Sequence, residues 1–232
     1  MCFYFQTLIY SMGYIIFLFI IPCAFVTVLC HEFAKAFVAK KLGCLSDKKI
    51  NSNPLRFVSV LGLILMSITG YGWGKPQECN IGAVSKPKRI LYYFSGSMGN
   101  IICAVGVLVI QSILLTVMLL TGMKLAGWLD TLLLILNLIM WLQILMAITQ
   151  LIPVPGFAGY NILKTLFFDK VSNPVLTKVE QNGKWIFTVL VLLGVMYYVV
   201  ELPTSVLYTG ISNAEEWFVD MITGGLYTEA GW

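Results

Sequence analysis

Long apolar stretches alternate along this chain with short polar, basic segments, and that alternation predicts its architecture. No charged residue occurs in Met1–Cys30, Ile90–Met123 or Thr131–Leu163. A helix that crosses the hydrocarbon core needs roughly 20 apolar residues, and each of these runs is longer. A fourth run, Trp185–Val200, is shorter but continues beyond Glu201 as "LPTSVLYTG". The pattern predicts helices over about Leu8–Leu42, Ile90–Thr121, Trp128–Leu151 and Lys184–Val200. Gly43 supplies a stop for the first and Pro22 a kink within it. A tight turn at "TGMKLAG" joins the second and third. The chain then breaks at "IPVPG", because Pro153 and Pro155 lack the amide donor a regular helix uses. A short segment over Gly159–Phe168 and a basic loop follow.

"VSVLGLILMSITGYGWG", Val58–Gly74, reads differently. It is short, rich in Gly, Ser and Thr, and flanked at both ends by basic residues. A re-entrant or interfacial loop fits it better than a span, provided protein shields its backbone from lipid. The fold class expected is therefore an all-α polytopic membrane protein, with about four to five transmembrane helices plus one re-entrant segment. Residues 1–210 are expected to form the transmembrane domain. Residues 211–232 are expected to form an acidic, amphipathic tail on the outer membrane surface.

Composition strengthens this reading. Of 232 residues, 59% are hydrophobic and 11% charged, where soluble domains carry about 25% charged residues. The first run lacks the cationic start and short apolar core of a cleaved signal peptide, so it is expected to be a retained helix. Charge placement adds orientation. Fourteen of the fifteen Lys and Arg fall into three clusters, Lys35–Arg56, Lys75–Arg89 and Lys164–Lys184; the other is Lys124. Five acidic and no basic residues follow Val200. By the positive-inside rule, the basic loops are expected to be cytoplasmic, and the N-terminus and acidic tail outside. The lipid bilayer is one expected partner, and nucleic acid is not. The six cysteines show no C-x-x-C spacing and read as small buried hydrophobes.

The candidate chemistry lies at "HEFAK", residues 31–35. Positions 31 and 35 are one helical turn apart and share a face. H-E-x-x-H uses this spacing to bind zinc through two imidazoles, with the Glu as general base. Here Lys35 stands at the second ligand position, and His31 is the only histidine in the chain.

"HEFAKAFVAKKLG", "NPLRF", "GYGWGKP", "FSGSMGN" and "LIPVPGFAGYNIL" follow one another in that order. Together they resemble the site-2 protease family of intramembrane zinc metalloproteases in its compact bacterial form, over about residues 25–165. The resemblance implies a site-2 protease-like core in the cell membrane. It makes His31 the match to one zinc ligand and Glu32 the match to the catalytic base. Lys35 falls where the family has a second His, and Ala158 where it has an Asp ligand. Asn100 matches the family's small-residue-helix Asn, with Ser97 in place of a preceding Pro. Trp73 and Lys75 match the loop near the family's substrate path, and these two, with Asn100 and Asn161, are the expected groove residues.

Two of three metal-binding positions thus carry residues that cannot bind zinc. Zinc is the family's cofactor, but none is expected here, and Cys30 is rotated too far from His31 to make a good partner. Lys35 and Glu32 sum to zero charge, as do zinc, Asp and Glu in the family site. The leading expectation is a membrane-embedded homologue that has lost zinc-dependent peptidase activity. It would bind a membrane protein or membrane-inserted peptide without cleaving it. One alternative is an active intramembrane zinc metalloendopeptidase with an altered ligand set. Another is a small transporter component, which would line its spans with more polar residues than Asn100, Gln111, Asn137, Gln143 and Gln150.

Overall fold

The computed structural model describes residues 13–46, 49–50, 53–122, 127–167 and 174–229. The start expected for the first helix near Leu8, the Lys124 turn, residues 168–173 and the last three tail residues lie outside that set. The rest of the expected basic loop is not a loop but holds a helix over Pro174–Gln181. Nine α-helices occur among the described residues: α1 Phe17–Lys41, α2 Val60–Thr69, α3 Lys86–Thr121, α4 Gly127–Leu151, α5 Ala158–Phe167, α6 Pro174–Gln181, α7 Gly183–Leu192, α8 Val195–Thr223 and α9 Leu226–Glu229. Helices α1, α3 and α4 are each long and apolar enough to span a membrane. Helices α7 and α8 meet the same test together, as one bent pair, so the described residues hold three such spans, or four. The protein is an all-α membrane protein.

Local chemistry sets the boundaries around α2. Asn53 begins a short 3₁₀ turn by accepting the Leu55 amide at 3.0 Å. Ser59 opens α2 by accepting the Gly62 amide at 3.4 Å. Gly70 closes α2 in the left-handed region at φ 85°, where a side chain would be strained. At ten residues, α2 is about 15 Å long, half the hydrocarbon thickness. The expectation that Val58–Gly74 is not a full span agrees with that length. Beyond Gly70 the chain runs extended, forming antiparallel bridges between Val58 and Gly74 and between Leu45 and Cys79.

The helix expected over Lys184–Val200 is not continuous. It breaks at Leu193–Gly194, and its two halves meet at 84°. Gly194 adopts φ 74°, a conformation only glycine takes readily, so the helix restarts there in a new direction. The second half then runs unbroken through residue 210 to Thr223. The boundary expected after residue 210 thus falls inside α8. Part of the acidic end packs inward, with Glu215, Val219 and Thr223 buried and Ser112 Oγ of α3 donating to Glu215 Oε1 at 3.4 Å.

The centre of the molecule is a three-helix packing of α3 against α4 and α1. In lipid, apolar side chains gain little by leaving one hydrocarbon for another, so close packing and interhelical hydrogen bonds hold helices together. Both occur here. Ser97 Oγ donates to the Ala147 carbonyl at 3.0 Å, and Tyr208 Oη donates to Asn137 Oδ1 at 3.0 Å. The main core joins Ile20 and Val28 of α1, Met66 of α2, Trp141 and Leu145 of α4, Phe187 of α7 and Val200 of α8. Around it, Phe33, Ile102, Val109, Ile113 and many other large apolar residues face outward, as the surface of a lipid-embedded protein should.

Candidate functional site

Helix α1 carries His31 and Glu32 in its second half, and both are buried, at 1% and 3% exposure. Glycines make that burial possible. A Cβ on Gly96 of α3 would run into the Cε1 and Nε2 atoms of His31. A Cβ on Gly74 would meet the Glu32 side chain, and one on Gly99 would meet Ala34. Backbone of α3 and of the extended strand therefore presses directly onto the His-Glu pair, as small residues permit where helices approach closely. The His31 ring hydrogen-bonds to the Gly96 backbone, while its Nδ1 has no partner.

Lys35 lies one turn along the same face. Its Nζ is 3.3 Å from Glu32 Oε2 and 5.8 Å from the centre of the Tyr92 ring. The first contact is an ion pair rather than an aligned hydrogen bond, since Oε2 has no hydrogen-bond partner. It is shielded, with Lys35 15% and Glu32 3% exposed. Such a pair is held by Coulomb attraction in a poorly screened setting.

A cleft of about 330 Å³ opens beside this pair, and Lys35, Ala158 and Asn161 all line it, with Tyr92, Gln150 and Glu78. The proline break at 153–155 turns the chain so that α5 begins at Ala158, which places Ala158 and Lys35 on one cavity. Asn161 is fixed there by donating from Nδ2 to the Phe157 carbonyl at 2.8 Å.

The other expected groove residues lie elsewhere. Trp73 is buried against Phe187, with ring centroids 5.9 Å apart, and lines a separate cleft of about 190 Å³ with Lys184 and Trp185. The Lys75 side chain is exposed, and its backbone amide donates to the Phe57 carbonyl at 2.7 Å. Asn100 is fully buried one turn beyond Gly96, and neither its Nδ2 nor its Oδ1 has a hydrogen-bond partner. The sequence reading missed Gly74 and Gly96 as the cradle of the site, and Tyr92 beneath the ammonium. Small residues in "FSGSMGN" and "GYGWG" were the available signal for the first two; nothing in the sequence pointed to Tyr92.

The donor set can be tested against zinc. A catalytic zinc usually takes three protein ligands and leaves one position open. Among the described residues, no three His, Cys, Asp or Glu side chains are grouped so as to hold a metal ion. At the expected position stand one imidazole, one carboxylate already paired with an ammonium, and a methyl group. These residues do not fit zinc.

No family model matches the chain, and no solved structure matches it. It is 30% identical over 176 residues to the Bacillus subtilis (strain 168) protein named "Putative zinc metalloprotease YwhC", an alignment covering 73% of this chain and 78% of that protein. Such identity across most of both chains, together with a buried His-Glu pair on a membrane helix, means that the chain belongs to the same family as that protein, a site-2 protease-like family of membrane proteins.

Proposed function

We propose that this protein is a non-catalytic member of its family, which receives a membrane-inserted segment of a protein or peptide partner and does not cut it. One observation carries the reading: the Lys35 ammonium sits 3.3 Å from Glu32, and Lys35 shares its cleft with Ala158. In the family site, zinc would supply the charge that balances Glu32 and would lower the pKa of a bound water toward about 7. An ammonium supplies the balancing charge and none of the acidity. It also holds Glu32 in an ion pair, which removes it as a free base. Loss of the Asp ligand fits the same logic, because an unpaired carboxylate in this cleft would be costly to bury. The cleft of about 330 Å³ beside the pair is large enough to admit side chains.

Zinc content of the purified chain tests the reading directly. Well under one zinc per chain is expected for the parent protein. Lys35→His together with Ala158→Asp restores a three-ligand set and should bring zinc to about one per chain, whereas Lys35→His alone should not. One tightly held zinc in the parent, or turnover of a membrane peptide that stops on chelation, would establish the active metalloendopeptidase instead.

The charge pattern supports an orientation with the basic loops in the cytoplasm and the N-terminus and acidic end outside. Reporter fusions after Thr121 and after Thr223 should both report the outer side. A cytoplasmic signal from either would reverse it.

A further inference from the structure

The α1–α3 seam that holds His31 also brings two thiols together. Cys30 Sγ and Cys103 Sγ are 3.5 Å apart, although 73 positions separate them in sequence. Both are free and half-buried. Gln143 of α4 donates from Nε2 to Cys103 Sγ at 3.1 Å, which holds that sulfur in place. The helices are close here because Gly99 leaves no side chain between α3 and Ala34. A disulfide needs sulfurs about 2.05 Å apart and tightly approaching backbones. The remaining approach is about 1.5 Å, shared between two side chains on helices already in contact. Both thiols also border the outward apolar faces of their helices, beside Phe33 and Ile102, which are 52% and 66% exposed. An oxidant would therefore reach them from lipid.

We propose that Cys30 and Cys103 are an oxidative modification site, at which a lipid-soluble quinone converts the two thiols into a reversible disulfide. Both S–H bonds break and one S–S bond forms. The two electrons and two protons pass to the quinone oxygens, giving the hydroquinone. The bond staples α1 to α3 at the residue next to His31. It is independent of the proposed function, since it asks nothing of the cleft or of zinc.

Membranes carrying the full chain would be treated with duroquinone, whose fully substituted ring takes up no thiol at carbon. They would then be alkylated with N-ethylmaleimide and mapped by peptide mass spectrometry. Alkylation of Cys30 and of Cys103 should fall together, by about tenfold or more, and return after reduction. In Cys103→Ser, Cys30 should stay alkylatable after the same treatment, and Cys103 likewise in Cys30→Ser. Cys30 that remains alkylatable in the quinone-treated parent overturns the proposal. So does protection of Cys30 that persists in Cys103→Ser, because its partner would then be a different group.

Discussion

Two Lys–carboxylate pairs among the described residues invite comparison, and their lengths rank them the wrong way round. Lys164 meets Glu180 at 2.6 Å, joining α5 to α6, with exposures of 35% and 26%. Lys35 meets Glu32 at the longer distance of 3.3 Å, with exposures of 15% and 3%. The outer pair is shorter and better bonded, since Tyr160 Oη also donates to Glu180 Oε1 at 2.9 Å. Yet water can solvate each of its members if the other is removed, and exposed pairs contribute little for that reason. Glu32, at 3% exposure, lacks that recourse, so removing Lys35 strands its charge. Solvent access, rather than distance, decides which pair matters to the fold.

Removing one partner from each pair tests this most sharply. Lys35→Leu should destabilise the protein by about 3–5 kcal/mol, read as a lowered unfolding midpoint in detergent. Lys35→Leu with Glu32→Leu together should recover most of that loss, because both charges leave at once. If the double variant is no more stable than the single, the inner pair is not acting as a unit and the comparison fails.

The glycines around the inner pair sharpen the contrast further. Gly96→Ala should displace His31 and cost about 1–3 kcal/mol by overpacking. Gly106 lies on the same helix with nothing within 4 Å of a Cβ built there. Gly106→Ala should therefore be neutral or stabilising by up to about 1 kcal/mol, from helix propensity alone. Equal losses at the two positions would mean that α3 does not press on the His-Glu pair.

The outer pair should respond weakly. Lys164→Ala is expected to cost about 0.2–1 kcal/mol. Its pH dependence has a definite sign. Burial alone would raise the Glu180 pKa, but hydrogen bonds from Lys164 and Tyr160 outweigh it and hold the carboxyl below its ordinary 4.5. A depressed carboxylate pKa stabilises the fold above the ordinary value, and that contribution is lost as pH falls through the folded-state value. Parent and Lys164→Ala should thus differ in stability above pH 4.5 and converge in more acid solution. A difference that grew on acidification would reverse the assignment.

Much of this was legible in the chain. The charge-free runs marked α1, α3 and α4 because the bilayer sets one length for every spanning helix. The pairing of Lys35 with Glu32 followed from positions three apart on a helix, where geometry is local and fixed. The break before α5 followed from Pro153 and Pro155. Local rules ran out at the bend near Gly194, since a glycine inside an apolar run marks a bend only when the flanking helices pack in different directions. They ran out also at Trp73 and Lys75, whose surroundings no local rule gives: Trp73 packs on Phe187 and lines a second cleft, and the Lys75 side chain is exposed.

The sequence by itself marked the three helices long and apolar enough to span a membrane, and which side chains share one turn of α1. Only the tertiary structure decided which face of α3 meets α1, and so that Gly96 would press on His31 and Cys103 on Cys30. Periodicity specifies a helix up to rotation about its own axis. That rotation is settled by packing between residues dozens of positions apart, where glycine allows backbones to touch and a buried charge must find its partner.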